Sequence, residues 1–249
     1  MYGRPGRGKI SGYGRRLIIS SPTFLDGDDF TFPDPESSDK EGLVAVGGDL
    51  SPNHLLTAYR QGIFPWYEPG YPILWWSPDP RLLLQPEHFR LSRSLKQALK
   101  KPYRVDFDTD FVSVIAACSS CSGRINNTWI TGEMQTAYNE LHNLGYAHSV
   151  EVRQEGQLIG GLYGISLGRA FFGESMFHLQ RDASKIALYY LCQLLGQWQF
   201  DFIDCQLPTP HLQRLGARIV RRREFLQRLR HTLHHPTHVG TWLHHSIDS

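Results

Sequence analysis

Toward the C-terminal end, the run Phe202-Ile203-Asp204-Cys205-Gln206 carries a carboxylate and a carboxamide two residues apart. Side chains alternate along a strand, so Asp204 and Gln206 point the same way at a strand end while Ile203 and Cys205 face the opposite layer. A second apolar run, Phe171-Phe172-Gly173-Glu174-Ser175-Met176-Phe177, holds one acid. The same period groups Phe172, Glu174 and Met176, with Phe171, Gly173, Ser175 and Phe177 opposite. An acid in so apolar a strand needs a partner or a function, because an unpaired buried charge is too costly to keep. For either acid, an ion pair with an arginine is the alternative to a role in chemistry. Other catalytic inventories are missing: no GxSxG elbow turning from a strand into a helix, no HExxH, no GxGxxG after a strand, and no Gln/Arg-x-x-Gly-x-Gly/Ala loop for acetyl-CoA. Cys118-Ser-Ser-Cys121 has the spacing of half a zinc site, but no second half follows, so no metal is expected. The GxxxxGK match at Gly3 to Lys9 has Ile10 where Ser or Thr must hold magnesium, and no strand precedes it. No cofactor is implied.

The elements that must position these groups follow from period and punctuation. His148 to Arg153, Gln157 to Leu167 and Arg169 to Phe177 read as antiparallel strands. Ala183 to Leu195 has apolar residues at helical spacing, and Phe200 to Gln206 reads as a central strand. Helices are expected at Leu91 to Lys101, Phe111 to Cys118 and Gly132 to Leu144. A further helix opens at Ser51-Pro52, with the hydroxyl free to cap, and ends at Gly62. Leu43 to Val46 is a short strand. No stable element is expected in the first 40 residues. The order describes an α+β sheet packed by helices. Residues 1–80 are expected to form an arm and a small N-terminal α/β domain, 81–235 the larger domain, and 236–249 a His-rich tail.

The first unit ends in a rigid aromatic segment, with three tryptophans from Trp66 to Trp76 and five prolines from Pro65 to Pro80. Trp75 and Trp76 cannot both point inward on a strand, so one is expected at the surface or at a ligand. The 249 residues, 41% hydrophobic, suffice for a core without disulfides, and no apolar run approaches a membrane span. With no long apolar stretch near the N-terminus, a cytoplasmic protein is expected. The net charge of +2 conceals segregation of the signs. Basic residues cluster in residues 1–16, in Arg90, Arg93, Lys96, Lys100, Lys101 and Arg104, and in residues 214–230 with a single Glu224. Such runs are ordinarily solvated helix faces, but three together point to a polyanion.

Seven blocks in order carry a family resemblance: Gly42 to Pro52, Tyr59-Arg60-Gln61-Gly62-Ile63-Phe64-Pro65-Trp66, Trp75 to Arg81, Thr128-Trp129-Ile130, Gly145 to Glu151, Gly173-Glu174-Ser175-Met176-Phe177 and Asp204-Cys205-Gln206. The chain resembles the leucyl/phenylalanyl-tRNA–protein transferases from about Gly42 to Phe225. The resemblance implies an acyltransferase of GNAT-like fold behind a small α/β domain. Such an enzyme moves leucine, phenylalanine or less often methionine from aminoacyl-tRNA to the α-amino group of proteins beginning with Arg or Lys, marking them for degradation. It also implies that Gln206 accepts a hydrogen bond from the attacking amine, that Asp204 orients and polarises Gln206 or takes the proton, and that Trp66 and Trp129 stack on the terminal adenosine. Leu162, Phe171, Met176, Leu191 and Leu195 would line the side-chain pocket. Glu174 would meet the acceptor's N-terminal Arg or Lys, or else support the pocket wall. Arg90, Arg93, Lys96, Lys100 and Lys101 would contact tRNA phosphates. A monomer is expected. The rival classes are a noncatalytic tRNA-binding protein and an acetyl-CoA enzyme. Departures from the family pattern are Arg214, where Ser is common, and His178, where Ser often follows the Met-Phe pair.

Overall fold

The computed structural model describes residues 22–27, 31–121 and 129–243. The basic arm of residues 1–16, Thr128, His244 and His245 lie outside the described residues. A small sheet of order β1-β2-β4-β3 comes first. It contains β1 (Thr23–Leu25), β2 (Leu43–Gly47), β3 (Phe64–Pro65) and β4 (Leu74–Trp76), with α1 (Pro52–Arg60) between β2 and β3. The first 40 residues therefore do contribute an element: Thr23–Leu25 pairs in parallel with β2. Pro52 opens α1, but the Ser51 hydroxyl bonds His54 Nδ1 at 3.0 Å instead of capping the backbone. Trp75 is fully buried and donates to Gly47 O, whereas Trp76 is half-buried and donates to Trp66 O.

The large sheet has order β11-β5-β10-β9-β8-β7-β6. Its strands are β5 (Arg81–Leu84), β6 (Arg104–Phe107), β7 (Ala147–Gln154), β8 (Gln157–Leu167), β9 (Ala170–His178), β10 (Phe202–Asp204) and β11 (Arg218–Val220). Only β9 and β10 run parallel. The helices are α2 (Arg93–Ala98), α3 (Phe111–Ser120), α4 (Gly132–Asn143), α5 (Ala183–Gln197), α6 (Pro210–Arg214) and α7 (Arg222–Thr232). One core layer gathers residues of α1, α3, α4 and α7, and the other residues of α2 and α5. Close approach of α5 depends on Gly160, where a Cβ would sit 2.5 Å from the Ala183 Cβ. Arg222, from the third basic segment, is buried; its guanidinium donates to Ser38 Oγ and O, Asp39 O and Ser77 O at 2.7–2.8 Å. That charge fastens α7 to the N-terminal segment.

Three findings depart from the expected pattern. The strand at Phe202–Asp204 stops two residues early, and Gln206 adopts a left-handed φ of 60°. Strand β9 carries a bulge: Ser175 pairs with Tyr163 and Gly173 with Gly164, leaving Glu174 as the extra residue. Finally, residues 236–243 pack down instead of trailing off. Gly240 N–H donates to Gly145 O, Thr237 Oγ1 accepts from Gly168 N–H, and the Trp242 side chain is buried. No helix of the described residues is long and apolar enough to cross a membrane.

Candidate active site

The two acids and the carboxamide meet where β9 and β10 diverge. Asp204 is fully buried, and its carboxylate accepts from Arg81 Nε at 3.0 Å and Nη2 at 2.7 Å. The Arg81 guanidinium carbon stacks 4.3 Å from the Phe225 ring centre and 4.9 Å from that of Phe64. Asp204 Oδ1 also accepts the backbone N–H of Gln206 at 2.9 Å, while Gln206 O accepts from Leu82 N–H. These bonds hold Gln206 in its left-handed conformation, which costs a non-glycine residue about 1–3 kcal/mol and persists only where the surroundings enforce it. Asp204 thus fixes the backbone of Gln206 and does not touch its carboxamide.

Glu174 holds the carboxamide instead. Gln206 Nε2 donates to Glu174 Oε1 at 2.8 Å, and Tyr138 Oη donates to Glu174 Oε2 at 3.0 Å. With Tyr138's proton so used, Tyr59 Oη donates to Tyr138 Oη at 2.5 Å. Ionised, Glu174 can only accept, and protonated its carbonyl oxygen still accepts, so in either state Oε1 takes the amide N–H and turns Gln206 Oε1 away. Burial pushes the Glu174 carboxyl up to about 7, against the opposing hydrogen bonds of Tyr59 and Tyr138. Burial first, and the Glu174 charge second, also hold the Tyr59 and Tyr138 phenols well above the usual tyrosine value. Glu174 is 8% exposed and both its oxygens are engaged, so it does not present a free charge to an incoming Arg or Lys side chain. Glu174 also lies among the residues that line the neighbouring cavity.

Beside this pair lies an apolar cavity of about 130 Å³. Of the expected lining, Leu162, Phe171, Met176 and Leu191 face it, joined by Leu188, Ile203, Cys205 and Leu212, with Glu174 and Gln206 at its polar end. Leu195 does not line it; one turn beyond Leu191, it is buried behind the wall in the core layer. Strict alternation would put Phe171 and Met176 on opposite faces. The extra residue at Glu174 corrects the parity, bringing both to the α5 layer and sending Phe172 and Phe177 to the other. A dry cavity of about 150 Å³ admits benzene, so this one is of the order of a single apolar side chain.

Trp66 is 43% exposed, and Trp129 is half-buried on the same core layer as Phe64. Their neighbours meet, with Tyr67 Oη 3.3 Å from Thr131 Oγ1. Thr131 caps α4, the helix that carries Tyr138 to Glu174. The two indoles therefore hang on elements that also build the acid–amide site. Comparison with known proteins gives the family of the chain. The family model described as leucyl/phenylalanyl-tRNA protein transferase matches residues 83–230, and that of its N-terminal domain matches residues 48–79. The chain belongs to this family. A leucyl/phenylalanyl-tRNA–protein transferase of Legionella pneumophila (strain Paris) is 61% identical over 214 residues, spanning 86% of this chain and 96% of the relative. One from Desulfatibacillum aliphaticivorans is 52% identical over 223 residues, spanning 89% and 96%. Among solved structures, a GCN5-related N-acetyltransferase from Kribbella flavida overlays 68% of this chain and 61% of its own at 10% identity and a TM-score of 0.33. As a leucyl/phenylalanyl-tRNA protein transferase family member, the protein is an aminoacyltransferase with a mixed α/β fold.

Arg90, Arg93, Lys96, Lys100 and Lys101 are all exposed around α2, and none forms an ion pair among the described residues. A second cationic surface is invisible to charge runs. His178, Arg181, Lys185 and His211 line a groove that meets the apolar cavity at Met176, together with Asp182, which pairs with Lys185 at 2.5 Å and with Arg181 at 3.5 Å. Burial, then the charges of Lys185, Arg214 and His178, lowers the His211 pKa, as expected of crowded cations. Residues 178 and 185 come from separate elements, and 211 from a third, so only folding assembles them. Arg81, Tyr59 and Tyr138 escape a sequence reading for the same reason. Arg81 stands 123 residues from its carboxylate, and only the apolar setting of Asp204 hints at a partner.

Proposed function

We propose that the enzyme transfers leucine or phenylalanine from the 3′ end of tRNA to the α-amino group of proteins beginning with Arg or Lys. The donor's side chain enters the apolar cavity, and its adenosine stacks on Trp66 and Trp129. Gln206 Oε1, turned outward by Glu174, accepts a hydrogen bond from the attacking amine. The acyl carbon of an aminoacyl ester is already activated, so the step needs alignment above all, and alignment replaces about 7–11 kcal/mol of barrier. The acceptor amine has a pKa near 8, so a useful fraction is neutral at pH 7. It sheds its first proton to solvent before attack. The new N–C bond forms as the C–O bond to ribose breaks, and the second amine proton passes to the departing ribose oxygen. Asp204, walled in by Arg81, positions Gln206 and takes no proton.

Arg90, Arg93, Lys96, Lys100 and Lys101 bind backbone phosphates. Such contacts carry no sequence information and let the cavity choose the amino acid. A β-branched side chain brings a methyl against the mouth of the cavity, and discrimination is about 1–3 kcal/mol per misplaced methyl. We expect the enzyme to act as a cytoplasmic monomer. The single observation that supports this reading is the Glu174–Gln206 bond at 2.8 Å, which turns the carboxamide oxygen away from the acid beside a cavity fit for one side chain. Incubation with labelled phenylalanyl-tRNA and two peptides, one beginning with Arg and one with Ala, tests it. Label in the Arg peptide alone supports the reading. Tight tRNA binding without transfer to either peptide would instead favour a binding protein.

A further inference from the structure

Phe171 lines the cavity, and its ring is held from two sides. On β8 it lies against Gly164, where a Cβ would be 2.5 Å from Phe171 Cε1 and 2.7 Å from Cζ. On the other side stands Trp242, whose ring centre is 5.9 Å from that of Phe171. Trp242 lies beyond the span matched by the family model, which ends at residue 230. It is nevertheless firmly seated. Its ring stacks on His148 at 3.7 Å and meets Trp198 edge-on at 5.0 Å. Its backbone N–H donates to Asp108 Oδ2 at 2.8 Å, the same carboxylate oxygen that is 2.8 Å from His148 Nδ1. Burial holds His148 below the usual histidine pKa, in keeping with a neutral ring packed face to face with the indole.

We infer that Trp242 is a specificity-determining positioning residue, a backstop that keeps Phe171 forward and so sets the depth of the cavity. Interiors are close-packed, and a ring deprived of its neighbour relaxes into the space that opens. Removing the indole lets Phe171 retreat, and the cavity then takes donor side chains larger than phenylalanine. Trp242 touches neither donor nor acceptor; its effect passes entirely through Phe171. This inference rests on the reading that the cavity holds the donor's side chain.

The test compares 2-naphthylalanyl-tRNA with leucyl-tRNA as donors to an Arg-initiated peptide, using the full chain and the variants Trp242→Leu, Phe171→Ala and the double variant. Trp242→Leu should raise the ratio of kcat/KM for naphthylalanyl over leucyl donors by about tenfold, the order expected for a change in pocket size. Phe171→Ala should raise it at least as much. In the Phe171→Ala background, Trp242→Leu should add less than about twofold, because coupled neighbours are not additive. General damage to the fold lowers both donors together and leaves the ratio unmoved, so an unchanged ratio in Trp242→Leu overturns the inference whatever the overall activity. If Trp242→Leu does not yield folded protein, Trp242→Phe, which leaves a smaller gap, is read by the same ratio. If Phe171→Ala itself leaves the ratio unchanged, the cavity is not the side-chain site, and the functional reading fails instead.

Discussion

Glu174 offers a quantitative test, because its carboxyl titrates differently in the folded and unfolded chain. Its ordinary value is 4.5, and in the fold burial raises it to about 7. Below pH 4.5 both states carry the neutral acid, and the stabilisation it brings is fully present. As pH rises toward 7 the unfolded chain releases the proton while the folded chain keeps it, so unfolding grows steadily easier; above 7 both are ionised and the loss is complete. A gap of about two and a half pH units, at about 1.36 kcal/mol each, amounts to about 3 kcal/mol. Glu174→Gln keeps the shape and an acceptor for Gln206 but cannot ionise. Unfolding by urea at pH 4.5, 5.5, 6.5 and 7.5 should show the parent losing about 3 kcal/mol more than the variant across that range. For a chain of this size that corresponds to about 6–12 °C in relative Tm. Histidines and other groups titrate alike in both proteins and cancel in the difference. Parallel pH profiles for parent and variant would mean that Glu174 is ionised throughout, and the account of the buried acid would be wrong.

Other expectations follow from the same site. Asp204→Asn leaves Arg81 buried without its counter-charge, so stability should fall by about 3–5 kcal/mol in denaturant titrations, with turnover lost alongside. Gln206→Gly relieves the left-handed backbone but removes the carboxamide; transfer should collapse in a single-turnover assay while stability stays within about 1 kcal/mol of the parent. Trp66→Ala should weaken donor binding by about 1–3 kcal/mol, a rise of about 5- to 150-fold in Kd for aminoacyl-tRNA, with Trp66→Phe recovering most of it. Replacing Arg93 and Lys96 by Gln should weaken binding of all donor tRNAs alike and flatten the plot of log K against log salt by about 0.9 for each phosphate no longer neutralised.

Most of the large sheet could be read from the chain because its longer elements are rich in strand or helix formers and bounded by turn residues. Strand formers punctuated at Gly156 and Gly168 run from His148 to Phe177, and Ala183 to Leu195 keeps helical spacing, so β7, β8, β9 and α5 stand close to where the sequence puts them. Short strands are less visible. Arg81–Leu84 and Arg218–Val220 are three or four residues long, too short for a period to declare itself, and both are identified by pairing to each other. The bulge at Glu174 leaves one trace, the glycine before it, since an isolated glycine in a strand is a common sign of such an irregularity. At the site, the type of each group is legible but its partner is not. Asp204 and Gln206 sit two apart, and strand parity joins them, yet the carboxamide turns to an acid on the neighbouring strand. Nothing local to Phe202–Gln206 encodes that choice; it arises from Arg81, which occupies Asp204 from a strand before the whole meander. The C-terminal histidines suggest a tail because composition is blind to a single buried indole such as Trp242.

The additional residue in β9 also limits how this enzyme can diverge. Side chains from Ser175 to His178 take their orientation from their partners on β8, so losing the extra residue would leave Met176 and Phe177 on their present layers. Loss of a single codon there would instead straighten the ladder and remove the acid that grips the carboxamide. A one-residue deletion in this stretch would thus spare the chamber and silence the group beside it.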